Sequence, residues 1–110
     1  MAATPEAKVK KKVKECLESM KAYYTMPVTG GFGRSGVPDF LVCYRGTFIG
    51  IECKANGNKP TALQESNMAA IRAARGAALV VDETNVQGLE QRIENWFHIT
   101  LPILNREDWQ

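Results

Sequence analysis

No apolar run in these 110 residues approaches the roughly 20 that a bilayer-spanning helix needs. The opening MAATPEAKVKKKVKE also has no uncharged apolar stretch of the kind a secretion signal carries. A membrane protein is therefore excluded, and a soluble, cytoplasmic one is expected. Histidine is nearly missing: His98 stands alone after a predicted helix end, where partial positive charge is favourable in any case, so nothing marks it as a general base. The three cysteines, Cys16, Cys43 and Cys53, are an odd number at spacings that fit no zinc or redox motif, and they read as reduced packing residues. There are no repeats and no low-complexity tracts.

With 45% apolar and 24% charged residues, the chain has the composition of an ordinary globular protein. Its length fits one domain, residues 1–110, with a single core. The net charge of +2 conceals an asymmetry: residues 1–60 carry ten Lys or Arg against five acids, and residues 61–110 four against seven. A basic first half suits a polyanionic partner, most commonly nucleic acid, although a lysine-rich helix face is often merely solvated.

Thr4-Pro5-Glu6 predicts a helix start, with Thr4 as N-cap and Pro5 where its missing N–H is harmless. The stripe Val9, Val13, Cys16, Leu17 and Met20 carries that helix to about Lys21 and turns Glu6 to the core side. Tyr23 to Val28 predicts a strand, and the glycine-rich TGGFGRSGVP a loop. Phe40 to Tyr44 and Phe48 to Cys53, joined at Arg45-Gly46, predict a hairpin. A polar loop over 54–60 leads to a helix from Thr61 to about Arg75, opened by the capping-box pattern T-A-L-Q and closed by Gly76. Ala77 to Val81 predicts a buried strand and Thr84 to Phe97 a third helix. Ile99 to Leu104 reads as an edge strand or a subunit contact, since Pro102 excludes a central position.

Placing Cys43 opposite Phe48 sets the hairpin register. Val42 then pairs with Ile49, Leu41 with Gly50, Phe40 with Ile51, and Asp39 with Glu52, which brings two carboxylates to one face with Cβ atoms about 5 Å apart. Lys54 projects to the same face, and Gly50 clears space beside them. Two such acids repel each other and raise each other's pKa unless a cation lies between them. Mg²⁺ or Mn²⁺ suits oxygen donors of this kind, with Lys54 beside the reacting phosphate and Glu6 available to complete the shell. A bland reading stays open: a turn Asp after Pro38 and a solvated Glu52/Lys54 pair.

Pro38-Asp39, twelve intervening residues and Glu52-Cys53-Lys54 resemble the PD-(D/E)XK nuclease signature. Glu6, GRSGVPDF, IECK and the P-T-x-x-Q of Pro60 to Gln64 are similar, more narrowly, to the small stand-alone VRR-NUC proteins of phages and bacteria, over roughly residues 4–82. The resemblance implies an α/β, restriction-endonuclease-like core in the order α-β-β-β-α-β with a C-terminal helix and tail. It implies a Mg²⁺- or Mn²⁺-dependent endonuclease acting on DNA, with Asp39, Glu52, the Cys53 carbonyl and Glu6 as metal ligands and Lys54 and Gln64 in catalysis. It further implies a homodimer nicking branched DNA such as four-way junctions, in the host cytoplasm if a phage encodes it. The alternatives are a catalytically silent DNA-binding module of the same fold and a nuclease of flaps or single-strand ends.

Several of these residues carry a second reading. An acid in a first helical turn, as Glu6 is, is stabilised by the helix dipole without any metal. Gln64 at the third helical position completes the capping box with Thr61. Arg34 and Ser35, in the glycine loop, together with Lys10 and Lys59, are the candidates for DNA contact; the remaining lysines ring the first helix too fully to form one patch. Trp96, Phe97 and Trp109 could stack on bases, but an aromatic in a helix stripe more often belongs to the core.

Overall fold

The computed structural model describes residues 3–28 and 33–100. Helix α1 (Pro5–Ser19) starts where Thr4 accepts the Ala7 N–H on its hydroxyl, 3.1 Å away. Strands β1 (Tyr23–Thr25), β2 (Phe40–Tyr44) and β3 (Thr47–Cys53) follow, then helix α2 (Ala62–Ala73), strand β4 (Ala77–Val81), a 3₁₀ turn at Val86–Gly88 and helix α3 (Leu89–Thr100). The sheet order is β1-β2-β3-β4, with the first three strands antiparallel and β4 parallel to β3 across the α2 crossover. This is the expected mixed α/β arrangement.

The hairpin register is the expected one, from Phe40 opposite Ile51 to Tyr44 opposite Thr47. Its two-residue turn works because Arg45 (φ 51°) and Gly46 (φ 77°) both adopt the left-handed conformation, whose twist matches the flanking strands. Period-two alternation then divides β3 between two environments. Ile49, Ile51 and Cys53 join Phe40, Val42 and Val81 in the core, closed by Val9, Val13 and Leu17 of α1 and by Leu89, Ile93 and Phe97 of α3. Burial of each large aliphatic there contributes about 1.5–3 kcal/mol. Gly50, Glu52 and Lys54 face the other way, beneath α2.

Four boundaries depart from expectation. Strand β1 stops at Thr25, short of Val28; Pro27 has no N–H to extend an edge ladder. Helix α2 closes on Arg75 (φ 71°), with Arg75 N–H to Arg72 and Gly76 N–H to Ile71, so the left-handed residue is the arginine. Gly76 is required for another reason: a Cβ there would lie 3.0 Å from the Phe48 carbonyl oxygen. The third helix starts at Leu89 because residues 82–85 are held in a side-chain-bonded turn, Asp82 accepting from Thr84 and Asn85 accepting from the Asp82 N–H. Finally, Ile99 and Thr100 continue α3 and form no strand, while 101–104 and Trp109 lie outside the described residues.

Phe97 is core, and the half-buried Trp96 packs against it edge-on. Cys53 is buried, Cys16 half-buried and Cys43 exposed near the turn of the hairpin, opposite the exposed Phe48, which corrects its expected role in packing. No helix among the described residues is long and apolar enough to cross a membrane.

Candidate active site

Asp39 immediately precedes β2, next to the buried Pro38. Its Oδ2 accepts the Cys53 N–H at 2.8 Å, so a side chain continues the hairpin ladder one step past the last backbone pair. That bond fixes the carboxylate at the end of the sheet beside Glu52. Glu52 is 2% exposed, an unusual position for a carboxylate.

Two groups hold its Oε2. Lys54 Nζ lies 3.7 Å away, and Gln64 Nε2 donates to it at 3.1 Å. Gln64 also completes the capping box: its Oε1 accepts the Thr61 N–H at 2.8 Å, while the Thr61 hydroxyl accepts the Gln64 N–H at 3.2 Å. The two readings of Gln64 are therefore one arrangement. With the amide oxygen committed to the cap, the amide nitrogen must face the carboxylate.

The other oxygen, Glu52 Oε1, is fully buried and receives no hydrogen bond among the described residues. Burial, then the neighbouring Asp39 carboxylate, pushes the Glu52 pKa up to about 7, with Lys54 offsetting part of the rise. The same surroundings, burial first and the two carboxylates after it, push the Cys53 thiol up to about 12, so its sulfur stays protonated. An unsatisfied buried carboxylate oxygen next to a second carboxylate fits a hard divalent cation, which prefers oxygen donors. Among the described residues no three Asp, Glu, His or Cys side chains converge into a chelating cluster. The protein side-chain donors on offer are thus Asp39 and Glu52.

Glu6 points to this end of the sheet but is engaged elsewhere. Lys10 Nζ lies 3.6 Å from Glu6 Oε2 and 3.6 Å from Asp39 Oδ1. Burial opposes the Lys10 charge, but Asp39 and then Glu6 outweigh it and raise its pKa. Lys10, expected on DNA, is turned inward to carboxylates. Lys59 is exposed in the 54–60 loop, and Arg34 is exposed and lines an apolar pocket of about 370 Å³ with Val37, Leu41, Phe48 and Ile71.

Gly50 does not clear space for the carboxylates. A Cβ there would lie 2.7 Å from Ile71 Cδ1 and 3.0 Å from Pro38 Cγ, so the glycine lets α2 and Pro38 close on the sheet. Sequence reasoning missed Asn67, which is 7% exposed and donates to the Ser35 carbonyl at 3.0 Å and the Leu63 carbonyl at 2.9 Å. It pins the Arg34-Ser35 loop to α2, helped by Gly36 (φ 77°), where a Cβ would strike Leu63 and Asn67. The available signal was a polar residue at the i+3 position from Gln64 on an otherwise apolar stripe through Met68 and Ile71.

No family model and no curated protein matches this chain. A solved structure titled "VRR_NUC domain" superposes with a TM-score of 0.68 at 29% sequence identity, covering 81% of this chain and 97% of that one.

Proposed function

From the likeness to a VRR_NUC domain structure, we propose that the chain is a VRR-NUC protein and a divalent-metal-dependent endonuclease that hydrolyses DNA phosphodiester bonds. The observation that carries this is Glu52: an inaccessible carboxylate with one oxygen undonated, set against Asp39, is costly in a fold that has no use for a cation there. Asp39 and Glu52 would hold Mg²⁺ or Mn²⁺. The Cys53 carbonyl is a further donor, because the strand geometry that aims its N–H at Asp39 aims its C=O to the same side.

When bound, the ion would supply charge neutralisation at the phosphate and acidification of a water. Each side chain has a separate task. Gln64 fixes the Glu52 carboxylate by locking one oxygen, which leaves the other for the ion. Lys54, its side chain 13% exposed and already paired with Glu52, presents an ammonium to developing negative charge on the phosphoryl oxygens and orients the attacking water. Arg34, exposed on a loop fixed by Asn67, would meet the DNA backbone, as would the exposed Lys59. Branched DNA cut by a homodimer is the substrate and assembly that we propose, since the described residues of one chain form one such site and paired incisions need two.

The test is a cleavage panel of labelled four-way junction, flap, nicked and linear duplex DNA with Mg²⁺ or Mn²⁺, with molecular mass measured on the same sample. Wild type should cut the junction only with metal, and Lys54→Ala should lose on the order of 10²–10³-fold. Asp39→Asn, which keeps an oxygen for the Cys53 N–H while losing the charge, should be similarly impaired. Equal cutting of linear duplex would remove the junction preference. Binding without cutting under either metal would leave a DNA-binding module.

A further inference from the structure

Five lysines crowd residues 8–14 of α1, and one of them behaves differently. Lys8, Lys11, Lys12 and Lys14 form no ion pair among the described residues, whereas Lys10 spans Glu6 and Asp39 at 3.6 Å each. The spacing explains half of this, since Glu6 and Lys10 are one helical turn apart. The other half is tertiary: α1 packs over the core through Val9, Val13 and Leu17, which lays the Glu6-Lys10 edge against the end of β2. A single ammonium thus already pairs with Asp39, one of the two carboxylates that would hold a cation at this site.

We propose that Lys10 is a built-in competitor for the divalent ion: it holds Asp39 in the metal-free protein and is displaced from it when metal binds, which sets the metal affinity of the site. This rests on the metal reading above. Glu6, Asp39 and, once ionised, Glu52 bring up to three negative charges together, and Lys10 and Lys54 bring two positive ones. Adding an ion of charge two beside Asp39 places it next to the Lys10 ammonium, and like charges at such distances repel strongly. The contact with Asp39 is therefore the one to yield, while the contact with Glu6, on its own helix, can remain. Lys54 is not the group displaced, because its partner oxygen, Glu52 Oε2, is already taken by Gln64 and the undonated oxygen is Oε1.

The experiment is calorimetric titration of Mn²⁺, without DNA, into wild type, Lys10→Gln, Lys10→Arg and Asp39→Asn, each confirmed folded by circular dichroism. Lys10→Gln should bind Mn²⁺ on the order of tenfold more tightly than wild type. Lys10→Arg, which keeps the charge, should stay near wild type, and Asp39→Asn should lose the binding. In parallel, acetylation of wild-type lysines read by mass spectrometry should rise at Lys10 on saturation with Mn²⁺, relative to Lys8 and Lys12. Metal binding that depends on Asp39 but is no tighter in Lys10→Gln, or Lys10 acetylation that does not rise, overturns the competitor role and leaves the nuclease reading standing. No Asp39-dependent binding at millimolar Mn²⁺ overturns the metal reading itself, and the competitor role with it.

Discussion

The two faces of strand β3 obey opposite rules. Toward α1 and α3, Ile49, Ile51 and Cys53 join the buried apolar cluster, with Cys53 at its edge nearest the carboxylates. Toward α2, Gly50 is pressed by Ile71 and Pro38, Glu52 is buried with an oxygen unserved, and Lys54 is mostly covered. One residue of offset along a strand separates material that stabilises the fold from material that strains it. Such a contrast is expected where unfavourable local placement is tolerated for chemistry, the surrounding structure bearing the cost.

Three changes would sharpen or break this contrast. The largest effect on stability should come from the dry face. Ile51→Ala should lower the unfolding free energy by about 2–5 kcal/mol in denaturant titration. A loss below about 1 kcal/mol would mean that the face is not the closed core described.

Second in size is Glu52→Gln, and here the sign is opposite. An acid whose folded pKa is raised from 4.5 to about 7 binds more protons in the native state than in the unfolded state over that interval. Stability of the metal-free protein should therefore fall as pH rises from about 5 to 8, with the full penalty present above the folded pKa. Glu52→Gln should abolish that slope and make the metal-free protein more stable at pH 8, on the order of 1–3 kcal/mol. Destabilisation by the same change would place Glu52 among the groups that hold the fold together.

Smallest is Asn67→Ala, which removes two hydrogen bonds from a buried side chain. It should cost about 1–2 kcal/mol and weaken DNA binding more than metal binding, because Ser35 and Arg34 lose their anchor on α2 while Asp39 and Glu52 keep theirs. Equal loss of both would merge the loop with the acidic pair into one unit.

The sequence made the acidic pair legible because its placement is local. Arg45-Gly46 admits a two-residue turn, the turn sets the register, and period-two counting then brings residues 39, 52 and 54 to one side. The α-β-β-β-α-β order was readable for a similar reason, each element being bounded by its own caps and turn residues. What stayed hidden depends on how elements dock. The angle at which α1 crosses the sheet decides that Lys10 meets Asp39, and nothing in its own helix indicates it. Gly50 and Gly76 look like sources of freedom, yet each is there because another segment comes too close for a Cβ. The helix expected from Thr84 starts only at Leu89, because the Thr84 hydroxyl bonds back to Asp82 in a turn. Asn67 was missed because its partner, the Ser35 carbonyl, lies 32 residues away.

The central claim is that the strained face is a cation site for phosphodiester hydrolysis. Anomalous diffraction from crystals grown with Mn²⁺ tests it most directly. One strong peak should lie between the Asp39 carboxylate and Glu52 Oε1, with Lys10 turned from Asp39. An ordered crystal with manganese saturating elsewhere and both acids still as they are here would contradict it.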